Sequence, residues 1–412
     1  MQGLDGRFTR LLAAAGVSNL GDGVAQAAMP LLVASLTRDP LLVAGATIAS
    51  QGPWLLFALV SGAMVDRLDR RRTMIVVDAI RAMIMAVLAL AIVGGRAEIW
   101  LIYMLAFALT SAETLFDPAS EAILPQMVGR DALAAANSRL QGVTWVANSF
   151  LGPPLGAILF AAAAGLPFVL DAASFVIAAV LVTTIPGVYR AARAEGRSSL
   201  GREIGDGLRF LARHRVLRWT TPMAGMTNLA AFSIIAIFVL YVQDVLGLDP
   251  LGYGLLISGL GVGGLAGAMA AGRVLARIGS SAAIKLTLFL GFVAGLTLAL
   301  VGNPVVAAIA IVIFGFQITL WNVTVVSLRQ ALVPDAMRGR IAGSSRLVTW
   351  GTQPIGALAG GLLAGAFGLQ APLLFSAAVF GLNFVLASFT VTPRAIAEAR
   401  RVADAAEVAT PA

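Results

Sequence analysis

Twelve runs of about twenty mostly apolar residues, each the length of a helix that crosses a lipid bilayer, divide this chain from end to end. They fall near residues 11–36, 41–65, 73–94, 98–116, 139–163, 166–186, 219–243, 251–275, 281–302, 304–327, 345–367 and 371–391. Spans of that length occupy roughly 240 to 300 residues. In a chain of 412 that leaves only short connections and no room for a large soluble domain. The fold expected is therefore an all-α polytopic membrane protein with twelve transmembrane helices. A hydrophobic share of 59% and the absence of cysteine fit this class and exclude a disulfide framework, a thiolate nucleophile or a thiolate metal site. The single histidine, His214, lies in an arginine-rich segment and is expected to be a solvated side chain; no metal site is expected.

The cations orient the spans. With the N-terminus on the cytoplasmic side, the inner segments are 1–10, 66–72, 117–139, 187–218, 273–285, 329–346 and 392–412. Of 29 lysines and arginines, 26 fall in those segments; Arg38 and Arg96 lie outside them and Arg81 lies within a span. Basic residues accumulate on the cytoplasmic side of membrane proteins, so both termini are expected to be cytoplasmic, in a bacterial inner membrane. The net charge of +8 then reflects topology, and no nucleic-acid partner is expected. The first apolar run contains Asn19 and Asp22, which argues for a retained span and against a cleaved leader.

The domains expected are a six-helix bundle over 1–186, a cytoplasmic linker over 187–218, a second bundle over 219–391 and a tail over 392–412. In the linker, Ile204, Leu208 and Leu211 recur at helical spacing among arginines, which predicts an amphipathic helix along the inner leaflet in contact with membrane lipid. The bundles echo one another. Gly62 and Arg67 recur as Gly272 and Arg277, "SRL" at 138–140 recurs at 345–347, and "PLGA" at 154–157 recurs as "PIGA" at 354–357. Two six-helix pseudo-repeats are characteristic of transporters that open alternately to either side of the membrane.

The loop "GAMVDRLDRRR" carries six charges in seven positions and resembles the signature Gly-x-x-x-Asp-Arg-x-Gly-Arg-Arg of the major facilitator superfamily. Gly62, Asp66, Arg67, Arg70 and Arg71 meet the signature, while Asp69 stands where the family has glycine. The resemblance implies a gating loop that latches the inner helix ends, with Glu113 or Asp117 as acidic partner. "NSFLGPPLGA" resembles the family's antiporter motif through Gly152, Pro153 and Gly156, with Asn148 and Ala157 in place of its outer glycines. Small residues there permit close helix approach, and the motif implies an exporter. "SNLGDGVAQAAMPLLV", "DAIRA", "DPASEAILPQMV" and "GLRFLARHRVLR" resemble the branch of enterobactin-type siderophore exporters and macrolide or multidrug efflux pumps. That branch implies efflux of a small amphipathic molecule by proton antiport, with no cofactor and a monomeric protein.

Ionisable residues inside a bilayer are costly and are functional candidates by default. Asn19, Asp22 and Gln26 share a face of the first span, and Asp22 lies roughly 18 Å from its inner end, near the midplane. Asp78 and Arg81 are one turn apart in the third span, so Arg81 is expected to pair with Asp22 or Asp78 in one state of the cycle. In the fourth span Thr110, Glu113 and Asp117 share a face, with Glu113 placed to exchange protons. Asp22, Glu113, Arg81 and Asp78 are the proton-coupling candidates. Asn19, Gln26, Asn148, Asn228, Gln317, Trp321 and Gln353 are the substrate-cavity candidates. Asp171 is read as structural.

Other classes fit less well. A lipid flippase, a lysophospholipid transporter or a proton-coupled importer would share the fold. A rhomboid-like protease needs a histidine within the membrane, and an intramembrane aspartyl protease needs Gly-x-Gly-Asp where Asn19 precedes Gly21 and Asp22. The only lysine, Lys285, lies outside any phosphate-binding loop, which excludes an ATP-driven pump in this chain. The protein is expected not to be an enzyme.

Overall fold

The computed structural model describes residues 6–65, 68–190, 200–334 and 337–408; Asp66 and Arg67 of the gating loop lie outside them. The described residues are almost wholly helical and contain no strand. The first half comprises α1 (Gly6–Leu36), α2 (Pro40–Val65), α3 (Arg70–Val93), α4 (Ile99–Met127), α5 (Leu133–Thr144), a π-helical segment (Trp145–Leu151), α6 (Gly152–Ala162) and α7 (Leu166–Thr183). After the linker come α8 (Leu200–Arg213), α9 (Leu217–Ile235), α10 (Phe238–Leu240) with a π turn (Tyr241–Val245), α11 (Pro250–Leu300), α12 (Pro304–Leu332), α13 (Arg338–Phe367), α14 (Ala371–Thr390) and α15 (Pro393–Val408).

By length and hydropathy, eight of the described helices qualify as spans, or nine when the bent pair Leu217–Ile235 and Phe238–Val245 counts as one. The 51-residue α11 contains Gly279 at φ 74°, where the helical path breaks. At 1.5 Å per residue it is more than twice as long as a bilayer is thick, so it comprises two spans. Helices α1 and α13, of 31 and 30 residues, have the length of a span but carry the more polar sequences. The twelve expected crossings are thus accounted for.

Helix ends depart from the expected boundaries. Helix α4 continues to Met127 through Pro118 and Pro125, where the sequence suggests a loop from residue 117. Proline interrupts single backbone bonds without ending a long helix that is packed on its neighbours. The π segment before α6 has a similar cause. Pro153 and Pro154 have no N–H to donate, and the Gly152 N–H reaches back five residues to the Ala147 carbonyl.

The chain divides into two compact units, Met1–Glu195 with Val242–Gly261, and Gly196–Tyr241 with Val262–Ala412. The expected boundary in the linker assigns 242–261 to the second bundle, yet this segment packs with the first. Glycine is the reason: a Cβ at Gly254 would collide with Pro153 and Ala157, and one at Gly261 with the Ser149 backbone. Inside the first unit α1 packs on α7 and α6, α2 on α4, and α3 on α7 and α4. Inside the second, α9 packs on α13 and α14. Corresponding glycines make corresponding contacts: Gly156 abuts the Val24 backbone in one unit and Gly356 the Leu229 backbone in the other.

Asp69, the departure from the family signature, has a structural task. Its Oδ1 accepts the Arg72 N–H at 2.9 Å as the N-cap of α3, and its Oδ2 accepts the Tyr189 N–H at 3.2 Å. Asp69→Ala is expected to cost about 1 kcal/mol of stability. A thermal unfolding comparison in detergent, with no shift, would remove this assignment.

Helix α8 forms within the linker and packs against α13. Gly207 leaves no room for a side chain against Ser344 of α13, whose hydroxyl also lies 3.1 Å from the Ile204 carbonyl. Arg209, Phe210, Arg213, His214 and Arg340 line a cleft of about 470 Å³ there. His214 is half-buried, and its Nδ1 accepts the Val216 and Leu217 N–H groups at 3.3 Å. The imidazole is therefore a cap for α9 and not the solvated side chain expected, and burial pushes its pKa below the usual histidine value.

Candidate functional site

Helix α3 turns Asp78 and Arg81 to one face, inward, where they are 0% and 2% exposed. A guanidinium so deep in an apolar bundle needs anions and ring faces around it. Asp22 of α1 supplies the closest anion, its Oδ1 2.7 Å from Arg81 Nη2, and Asp78 Oδ1 lies 3.9 Å from Nη1. Phe175 of α7 covers the guanidinium at 4.1 Å and Phe116 of α4 stands 5.6 Å away, both within cation–π range. Arg81 is thus held by α1, α3, α4 and α7 at once. Asp22 retains 21% exposure, so among the pair it is the member water can reach.

Two further acids join this group. Glu113 of α4, half-buried, interacts electrostatically with Arg81 and Asp22. Asp171 of α7 interacts with Asp22, Arg81 and Glu113, and it is fully buried. The sequence reading gives Asp171 only a structural part; the signal that places it is the glycine beside Asp22. Gly21 brings α1 so close to α7 that a Cβ there would collide with Asp171 and Ser174. The Ser174 hydroxyl donates to the Asp171 carbonyl at 2.8 Å and lies 3.3 Å from Asp171 Oδ1, while Oδ2 and both Asp78 oxygens make no hydrogen bond among the described residues.

One guanidinium therefore stands among four carboxyls. An unpaired carboxylate away from water costs several kcal/mol, so one guanidinium does not balance four ionised acids there. Among the described residues the acids are not grouped as ligands of one metal ion. The arrangement sets several titratable groups around one fixed cation.

The gating-loop arginines that are described contact backbone carbonyls. Arg70 Nη1 donates to Ala122 at 2.8 Å, and Arg71 donates to Val182 and Thr183 at 3.1 and 2.5 Å. With Arg10, which donates to Thr184, Arg71 gathers the C-terminal carbonyls of α7, while Arg70 holds α4. Gly62 lies in the last turns of α2, and Asp117 is exposed on α4 one turn beyond Glu113. Gly152 and Gly156 pack on α1 at Gly23 and Val24, and Pro153 opens α6 beneath them.

The substrate candidates separate by burial. Asn19, whose amide donates to the Ala15 carbonyl at 2.8 Å, and Asn148 are half-buried, and Gln26 is exposed, all in the first unit. In the second unit Asn228 and Gln353 are half-buried. Gln317 and Trp321, also in the second unit, are buried, at 2% and 7% exposed.

A family model described as transmembrane secretion effector matches residues 5–409. The chain is 28% identical over 394 residues to the multidrug efflux pump Tap of Mycolicibacterium fortuitum, covering 90% of this chain and 92% of that protein. It is 30% identical over 393 residues to Tap of Mycobacterium tuberculosis, covering 89% and 88%. In fold it is similar to the crystal structure of the nucleoside transporter NupG, with a TM-score of 0.74 at 12% identity over 94% of this chain and 100% of that one. The chain belongs to the transmembrane secretion effector family of the major facilitator superfamily and is a multi-pass membrane transporter.

Proposed function

We propose that the protein exports a small amphipathic molecule from the cytoplasm across the bacterial inner membrane in exchange for protons, with both termini cytoplasmic. The observation that carries this reading is the ion pair between buried Arg81 and partly exposed Asp22 within a group of four acids. The names of the efflux-pump relatives support the direction and the class of cargo. The distribution of cations supports the orientation.

In the cycle, Asp22 takes a proton from the outer side and its hold on Arg81 weakens. Loss of that pairing frees α1 to shift against α3 and α7. Each proton moving inward down the membrane potential contributes about 2.3 kcal/mol per 100 mV, which drives uphill export. Glu113 holds a second proton within reach of Arg81. The gating loop closes the inner helix ends through Arg70 and Arg71. Asn19, Gln26, Asn148, Asn228 and Gln353 offer amides to the cargo.

The test is dye and drug efflux from proteoliposomes under an imposed pH gradient. Asp22→Asn is expected to reduce gradient-driven efflux about 100-fold, and Glu113→Gln by about tenfold. Efflux by Asp22→Asn at the wild-type rate would contradict this coupling.

A further inference from the structure

We propose that Asp171 is a second proton-binding residue and the alternate partner of Arg81, so that the guanidinium passes between Asp22 and Asp171 as protons move. The assignment rests on the antiport reading above and extends it to a residue on a different helix. Three observations lead to it. Asp171 is fully buried, and its Oδ2 makes no hydrogen bond among the described residues. A structural aspartate in a helix interior is ordinarily satisfied on both oxygens, so an orphan oxygen calls for an intermittent partner. Gly21 removes any side chain between α1 and the Asp171 carboxyl, which places Asp171 against the residue preceding Asp22. The Arg81 guanidinium already rests on Phe175, one turn beyond Asp171 on the same helix, so it lies against the stretch of α7 that carries Asp171.

The charges around Asp171 allow this exchange and little else. Helix α1 contributes Asp22, α3 contributes Asp78 and Arg81, α4 contributes Glu113, and α6, which also packs on α7, contributes no titratable residue. Two carboxylates that share one cation at low dielectric carry one negative charge between them and titrate as a unit. While Asp22 is the anion bonded to Arg81, Asp171 holds the proton. A proton that binds Asp22 cancels its charge and breaks the bond to the guanidinium. In a state of the cycle that brings water to Asp171, which is 0% exposed in this structure, Asp171 releases its proton, becomes the anion and accepts the guanidinium. One proton enters for each that leaves, and the charge of the trio does not change.

The experiment compares wild type and Asp171→Asn in proteoliposomes, measuring dye efflux driven by a pH gradient and dye exchange without one. The variant is expected to lose driven efflux about tenfold or more and to show a flattened pH profile, with exchange falling less than driven efflux; Asp171→Glu is expected to restore part of the driven rate. A coupled wild type matched by Asp171→Asn in rate and pH profile overturns the assignment alone. A wild type indifferent to the gradient overturns the antiport reading and this assignment with it. Should Asp171→Asn not fold, Ser174→Ala removes the hydroxyl that stands 3.3 Å from Oδ1 and keeps the charge. It is expected to move the pH of half-maximal driven efflux, and an unmoved profile overturns the role of Asp171.

Discussion

Arg81→Ala is expected to reach the membrane as folded protein in reduced amount and to lose gradient-driven efflux about 100-fold or more. The substitution removes the cation of a cluster that contains Asp22, Asp78, Glu113 and Asp171. If these acids remained ionised, the uncompensated charge would cost about 3 to 5 kcal/mol, enough to unfold a marginal protein. Carboxyls in that position take up protons instead, so the bundle persists with neutral acids. Yield still falls because Phe175 and Phe116 lose the group they enclose. Coupling is lost because no fixed positive charge remains for a proton to compete with. Arg81→Lys is expected to recover yield but not the full rate, since an ammonium lacks the planar fork and stacks poorly on Phe175. Membrane yield and efflux are measured together. Driven efflux by Arg81→Ala within about twofold of wild type would remove Arg81 from the coupling mechanism.

Much of this site is visible before any coordinates. Asp22, Asp78, Arg81 and Glu113 stand out because each interrupts an apolar run, and helical spacing aligns Asp78 with Arg81. Which acid Arg81 meets is a tertiary matter, decided by how α1 crosses α3, and no local pattern encodes it. Asp171 interrupts an apolar run just as plainly, yet only the side-chain-free contact at Gly21 shows that it packs beside Asp22. Burial of Gln317 and Trp321 is likewise hidden, since a polar or aromatic residue on a helix face does not reveal what packs over it. Asp69 shows the opposite case. A departure from the family signature looks like a defect in the loop, whereas the carboxylate caps α3 and holds Tyr189.

Gly156→Leu is expected to be the most damaging of the packing substitutions, because its effect reaches the acids through the backbone. Gly156 abuts the carbonyl of Val24, and Gly152 abuts Gly23, so α1 and α6 touch main chain to main chain. Such contact is available only to glycine, and in a membrane, where helix association depends on close packing, nothing else substitutes for it. A leucine at 156 forces α1 outward at a point two residues beyond Asp22, whose 2.7 Å bond to Arg81 tolerates little displacement. The expected result is a loss of about 1 to 3 kcal/mol of stability or more, together with loss of driven efflux. Gly356→Leu repeats the collision against the Leu229 backbone, in the unit that does not hold the acid cluster. It is expected to lower the melting temperature comparably while leaving more of the proton dependence in whatever protein remains folded. Gly272→Leu, at a position with open space around it, serves as the reference and is expected to change neither property. Thermal unfolding in detergent and gradient-driven efflux separate the three. A Gly156→Leu variant that melts and transports like wild type would mean that the α1–α6 contact is looser than its geometry and does not position Asp22.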